Sequence, residues 1–368
     1  MAWALLVVGL LVLARLAFRG WIPHDEGTLG QAATRVLGGE VPHVDFHDTY
    51  GGLQAYAHAG VFSLIGESIR SLRIANIVVA AVAAYASFTI VRRVQPVVVA
   101  ASAGVAAMLV GFAVYPASMP SWWNVALGLA SAALVLRWLD SRNSTLLAAA
   151  GLLTGVNFLV KPTGAYFAAA IALYLMMLVS PDSPKRRTLV ALGAVIVLSF
   201  GVLLTGAPSL LAVALLLVPL ALVAFVGFRM ESVPRMPGGQ VVPLSSVAMF
   251  SLAVVVPIGI FALPYVLSGN GDALISGWLR LPQLRFDSAA WSRSIPLLPL
   301  LLLSAVGVLT YWACRRINPR FVLVAWVVLS IVVASIGWQW WWTLVVILIM
   351  LTPVAISAGT ATRGWHSR

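Results

Sequence analysis

Between Trp21 and Gly52 the chain reads WIPHDEGTLGQAATRVLGGEVPHVDFHDTYGG, and this stretch alone holds Asp25, Glu26, Glu40, Asp45 and Asp48 together with His24, His43 and His47. A carboxylate kept ionised at the edge of a bilayer can accept a proton from a bound hydroxyl. Asp25 suits that task, with Glu26 beside it, although the same pair also reads as a helix cap and a solvated neighbour. Farther on, His43, Asp45, His47 and Asp48 put two carboxylates and two imidazoles within six positions. Such a set admits a divalent cation, hydrogen bonds to sugar hydroxyls, or bonds to its own loop backbone; its spacing matches no specific metal signature. Nothing in the sequence demands another cofactor.

Other cations stand apart from this stretch. Arg70 and Arg73 follow it at the mouth of the next apolar run, Lys161 interrupts GLLTGVNFLVKPTGA, and Arg280, Arg285 and Arg293 alternate with Trp278, Phe286 and Trp291 in Ser268–Pro296. A lysine at membrane depth is a candidate phosphate ligand or a snorkelling side chain. The aromatic and basic segment reads either as a clamp on a lipid phosphate or acceptor, or as an interfacial segment on anionic headgroups.

The elements that must position these groups are membrane spans. A hydrophobic fraction of 61% with 9% charged residues over 368 residues is far from a soluble composition. Apolar runs separated by charged or Gly/Pro breaks give about twelve transmembrane helices in one all-α integral domain, residues 1–368. Met1–Phe18 is expected to be the first of them, since it lacks a cationic start and carries Arg15 and Arg19 behind its apolar core. Taking alternate breaks plus the C-terminus as one side gathers most of the 23 Lys and Arg, with only Asp140, Asp182 and Glu231 among the acids. By the positive-inside rule that side is cytoplasmic. Both termini then face the cytoplasm, and the two large loops, 21–52 and 268–296, face outward from a plasma (inner) membrane. Trp122, Trp123 and the run Trp338, Trp340, Trp341 and Trp342 fall at the expected outer edges. The net charge of +12 is spread over short loops, so it encodes topology and not nucleic-acid binding. The single Cys314 excludes an intramolecular disulfide and a cysteine-cluster metal site.

Within the first loop, Leu29, Ala32, Ala33, Val36 and Leu37 keep helical spacing up to Gly38-Gly39, which predicts a short amphipathic interfacial helix with Asp25 near its start. LQAYAHAGVFSLIGESIRSLR predicts a second interfacial or half-inserted helix ending at Gly66.

Asp25-Glu26, Pro42-His43-Val44-Asp45-Phe46, Tyr50-Gly51-Gly52-Leu53, Phe62-Ser63-Leu64-Ile65-Gly66-Glu67-Ser68 and Arg73 occur in that order. As a series they resemble the N-terminal signature of the GT-C membrane glycosyltransferases, of the protein mannosyltransferase and aminoarabinose transferase type. The resemblance implies transfer of a sugar from a polyprenyl-phosphate donor to a glycan, lipid or protein acceptor on the outer face. It also implies inversion at the anomeric carbon, with Asp25 as base supported by Glu26, and Lys161 as the family's lysine after the fifth helix. Asp45, His47, Asp48, Tyr50, Arg73, Arg280 and Arg285 are then the expected substrate-binding residues. Gly51-Gly52 stands where the family has a proline and is expected to loosen the approach to the next helix. No soluble outer domain is expected beyond the last span, which leaves the acceptor open. The rival reading is a non-catalytic flippase for lipid-linked sugars or a small-solute transporter. It predicts ionisable groups deep in several spans, whereas here the spans are nearly free of charge.

Overall fold

The computed structural model describes residues 2–113, 115–179, 193 and 242–281. These all lie in one compact unit, Met1–Ala289. The expected single domain, the span count beyond these residues, and Arg285, Arg293, Cys314 and the Trp338–Trp342 run fall outside the described residues.

Every regular element among the described residues is helical. The chain runs through α1 (Ala2–Ala17), α2 (Pro23–Leu37), α3 (Leu53–Ile65), α4 (Ile69–Arg92) and α5 (Val97–Ala106), whose continuation Ala107–Phe112 is π-wound. Then follow α6 (Pro120–Ser141), α7 (Ser144–Val160), a 3₁₀ turn at Pro162–Gly164, α8 (Ala165–Val179), α9 (Leu244–Leu267) and the short α10 (Gly271–Ile275), extended by a π-turn at Ser276–Arg280.

The boundaries have local causes. Pro23 opens α2 at a position where its missing N–H costs nothing, and Gly38-Gly39 end it, as expected. Ser68 starts α4 by accepting from the Ser71 N–H at 3.2 Å, and the Asn143 side chain starts α7 by accepting from Thr145 N–H at 3.0 Å. Pro162 forces Lys161 into an extended conformation and so stops α7. The charged or proline-bearing stretches Arg92–Pro96, Tyr115–Ser121, Arg137–Ser144 and Lys161–Pro162 all coincide with helix ends.

Among the described residues α4, α6 and α9 are long and apolar enough to cross a bilayer, and apolar helices of 10–17 residues occupy Trp3–Ala17, Val97–Leu109, Ser144–Val160 and Pro162–Met176. Two cores hold them together. Leu6, Leu13, Ala80, Ala84, Met108 and Phe112 join α1, α4 and α5, while Trp138, Leu147, Ala150, Leu175 and Phe250 join α6 to α9. On α7, Gly155 meets α9 backbone to backbone: a Cβ there would lie 2.2 Å from the Val254 carbonyl oxygen. This is the close approach that small residues four apart, Gly151 and Gly155, allow between helices in lipid.

A third core, built from Leu29, Ala33, Tyr50, Ala59, Phe62 and Leu72, fastens α2 and α3 over the start of α4. The connection 38–52 is stapled to the end of α2 by Arg35. Its Nε donates to Glu40 Oε2 at 2.6 Å, its Nη2 donates to the Asp45 carbonyl at 2.9 Å, and its guanidinium lies 4.6 Å from the Phe46 ring centre. Gly51 is not a loose joint. Its N–H donates to the Val160 carbonyl at 3.1 Å, and a Cβ there would lie 1.9 Å from the Leu159 oxygen. The double glycine thus lets the loop dock on the end of α7, which is tighter than the loosening expected from sequence.

Candidate functional site

Asp25 sits in the first turn of α2, half-buried. Its Oδ2 accepts a hydrogen bond from the Tyr115 hydroxyl. Tyr115 belongs to the short connection before α6. Its carbonyl accepts from the Trp122 indole at 3.0 Å, and the next residue's carbonyl accepts from Asn76 of α4, also at 3.0 Å. Burial, reinforced by the bond to Asp25 and its charge, pushes the Tyr115 hydroxyl far above the ordinary phenol range, so it stays a donor at any working pH. Tyr115→Phe would remove this one charge-assisted hydrogen bond and leave the carboxylate in place.

Glu26 and Arg73, expected as a catalytic group and a substrate ligand, are engaged with each other. Arg73 Nε and Nη2 donate to the two Glu26 carboxylate oxygens at 2.5 and 2.8 Å, with both side chains almost fully buried. The remaining donors go to the carbonyls of Ala17, Arg19 and Gly20 at 3.0, 3.3 and 3.0 Å, while Glu26 Oε2 also accepts from Ile22 N–H at 3.0 Å. The guanidinium is spent on tying the end of α1 and the start of α2 to α4, one turn from Asp25. The pairing has a physical reason: a buried charge needs a partner and saturated donors.

The carboxylates of the PHVDFHD segment serve its own backbone first. Asp45 is exposed and its Oδ2 accepts from Val41 N–H at 2.7 Å; Asp48 is buried and its Oδ1 accepts from Tyr50 N–H at 2.8 Å. His47 is exposed. His43, at φ +66, is buried with both ring nitrogens unpartnered, and burial lowers its basicity. Among the described residues no three His, Cys, Asp or Glu side chains converge as a metal ion would require. The segment is anchored from far along the chain. The Tyr265 hydroxyl donates to the Pro42 carbonyl at 3.0 Å and the Trp278 indole donates to the Gly51 carbonyl at 3.0 Å.

Lys161 and Tyr50 come together at the end of α7. The ammonium lies 6.0 Å from the Tyr50 ring centre and donates to Ser121 Oγ at 2.8 Å. Tyr50 also acts electrostatically on Tyr115, raising its hydroxyl further. Arg280 ends the π-turn after α10 and is exposed.

Sequence reasoning missed Tyr115, Arg35, Gln54, His58 and Ser118. Their signal was weak: isolated polar residues in apolar helices or a short connection. His58 is fully buried on α3, against Trp123 with ring centres 5.6 Å apart, and its Nε2 lies 3.0 Å from Ser118 Oγ. Burial lowers its pKa from 6.5 to about 4. Because the unfolded chain takes up this proton near its ordinary pKa and the folded chain does not, stability is full above about pH 6.5 and falls as the pH drops toward about 4. Melting temperature in detergent should decline across that window, and His58→Gln should flatten the decline.

Residues 53–209 match the family described as dolichyl-phosphate-mannose-protein mannosyltransferase. The matched part begins at α3, after Asp25. Two solved structures of the Archaeoglobus fulgidus oligosaccharyltransferase, one in the apo form and one tethered with an acceptor peptide containing the NVT sequon, align over 97% of this chain. Identities are 14% and 16%, the TM-score is 0.46 for each, and the alignment spans 50% and 49% of the archaeal chain, about half its length. No curated protein matches.

Proposed function

We propose that this chain is a membrane glycosyltransferase of the GT-C type that moves a sugar from a polyprenyl-phosphate donor to an acceptor hydroxyl at the outer face of the membrane, with inversion. The observation that supports the reading is the Asp25 carboxylate in the first turn of α2, held by the Tyr115 hydroxyl, with the Lys161 ammonium placed near the Tyr50 ring. The acceptor hydroxyl gives its proton to the Asp25 carboxylate as its oxygen bonds to the anomeric carbon. The bond from that carbon to the donor phosphate breaks, and the phosphate leaves with the electron pair. Lys161 offsets the charge that grows on the departing phosphate, where a preplaced cation contributes most. Tyr115 and Trp122 hold the base in line. Glu26 and Arg73 act as positioning residues that keep the first turn of α2 in place. Asp48, His47 and Tyr50 border the space in which a sugar sits, and the exposed Arg280, with Arg285 of the same loop, serves the lipid phosphate or the acceptor. Donor, acceptor and membrane lipid are the partners of the reaction.

The test is transfer of labelled sugar from polyprenyl-phosphate mannose, glucose and arabinose in sealed membranes, with the anomeric configuration of the product read by NMR. An inverted product is expected. A retained configuration, or movement of intact lipid-linked sugar across the membrane without transfer, would replace this reading with a double displacement or with a flippase.

A further inference from the structure

We propose that the cavity between α2, residues 46–50 and α3 is a subsite for sugar hydroxyls, with Gln54 and His58 as its recognition pair. The proposal rests on the glycosyltransferase reading and names a subsite within it. The cavity has a volume of about 100 Å³, and Leu29, Ala32, Phe46, Asp48, Gln54 and His58 are among its walls. That is room for the edge of a pyranose ring or for a few waters.

The two α3 side chains share one anchor. Gln54 Nε2 donates to the Ser118 carbonyl at 2.7 Å, and His58 Nε2 meets Ser118 Oγ at 3.0 Å. Ser118 Oγ also accepts the Trp123 indole N–H at 3.0 Å, and the arrangement in which it gives its own proton to His58 Nε2 leaves the imidazole proton on Nδ1. Both residues are at least nine-tenths buried, and both keep one polar atom without a partner, Gln54 Oε1 and His58 Nδ1. One turn apart on the same helix, they offer an acceptor and a donor, the complement of adjacent hydroxyl groups. Buried polar atoms left unpaired are costly, and ligand hydroxyls relieve that cost.

The walls select a polyol over an anion. Asp48 and Gln54 line the cavity, its imidazole is held neutral by burial, and Arg35, also in its lining, is committed to Glu40 and the Asp45 carbonyl. Leu29, Ala32 and Phe46 add apolar surface suited to the C–H face of a sugar ring. Tyr50 also lines the cavity, and the Lys161 ammonium lies 6.0 Å from its ring centre.

A reporter independent of turnover tests this. In a Cys314→Ser background, Ala32→Cys places a thiol on the cavity wall, and its rate of labelling by a small thiol reagent is followed with and without sugars. Methyl mannoside, methyl glucoside or methyl arabinoside is expected to slow labelling about fivefold once it exceeds its dissociation constant about fourfold, and inorganic phosphate is not. Gln54→Leu and, separately, His58→Gln should each lose this protection while leaving the unliganded labelling rate unchanged; that unchanged rate shows the cavity intact. Protection by polyprenyl-phosphate mannose but not by bare polyprenyl phosphate assigns the cavity to the donor sugar. Protection by free glycosides that adds to that of the lipid-linked sugar assigns it to the acceptor. No protection by any sugar, equal protection by phosphate or glycerol, or protection that survives in both variants overturns the proposal. The catalytic reading fails separately: transfer retained by Asp25→Asn removes the base and leaves the cavity result standing.

Discussion

Asp25→Asn should reduce sugar transfer by about 10²–10⁴-fold, the usual contribution of a positioned general base. Asparagine keeps the shape of the side chain and can still accept from the Tyr115 hydroxyl, which at present donates to Asp25 Oδ2. What it cannot do is take the acceptor proton. The loss should therefore fall on kcat, with donor affinity within about twofold of wild type, because the group acts only as the reaction proceeds. The check is a transfer assay at equal amounts of folded protein, alongside equilibrium binding of the labelled donor. Wild-type activity in the variant would leave Asp25 as a helix-end carboxylate and nothing more. Tyr115→Phe is the graded companion: it leaves the base present and releases only its orientation, so its smaller loss should vanish in the Asp25→Asn background.

Removing one partner of the Glu26 and Arg73 pair should cost about 3–5 kcal/mol of stability, because the survivor is left as a buried, unpaired charge. Arg73→Met strands Glu26 and frees the carbonyls of Ala17, Arg19 and Gly20 at the end of α1. Glu26→Gln strands the guanidinium, with three carbonyl acceptors still in place. The double variant removes both charges and should be less damaged than the sum of the singles, a sign of direct coupling. Unfolding in a denaturing detergent, followed by helix content, measures all three. Singles within about 1 kcal/mol of wild type would mean that water reaches this pair and that the three elements are not tied through it.

Several features were legible in the sequence because they depend on short-range pattern. The extent of α2 follows from Pro23, the spacing of Leu29, Ala33 and Val36, and Gly38-Gly39, and the helix ends near Arg92, Tyr115, Ser141 and Lys161 follow from charge and proline. The first-loop motif pointed to a membrane glycosyltransferase through the order of its residues. The same motif gives no sign that Arg73 and Glu26 pair with each other, since residues of opposite charge find one another only when the fold brings them together and buries both. Nothing local marks Tyr115, Ser118 or His58 as neighbours of that loop, because their partners lie 90 residues away for Tyr115 and 60 for Ser118 and His58.

By itself the sequence determined that this is a helical membrane protein with its acids gathered at one loop, because span length, hydropathy and charge asymmetry act through the bilayer and need no long-range contact. Only the tertiary structure decided which partners those acids take. It folds Tyr115 onto Asp25, spends Glu26 on Arg73, lays Lys161 over Tyr50, and leaves one atom each of Gln54 and His58 without a partner beside a cavity. A carboxylate's role depends on which donor reaches it in three dimensions, and that is settled by packing between helices distant in sequence.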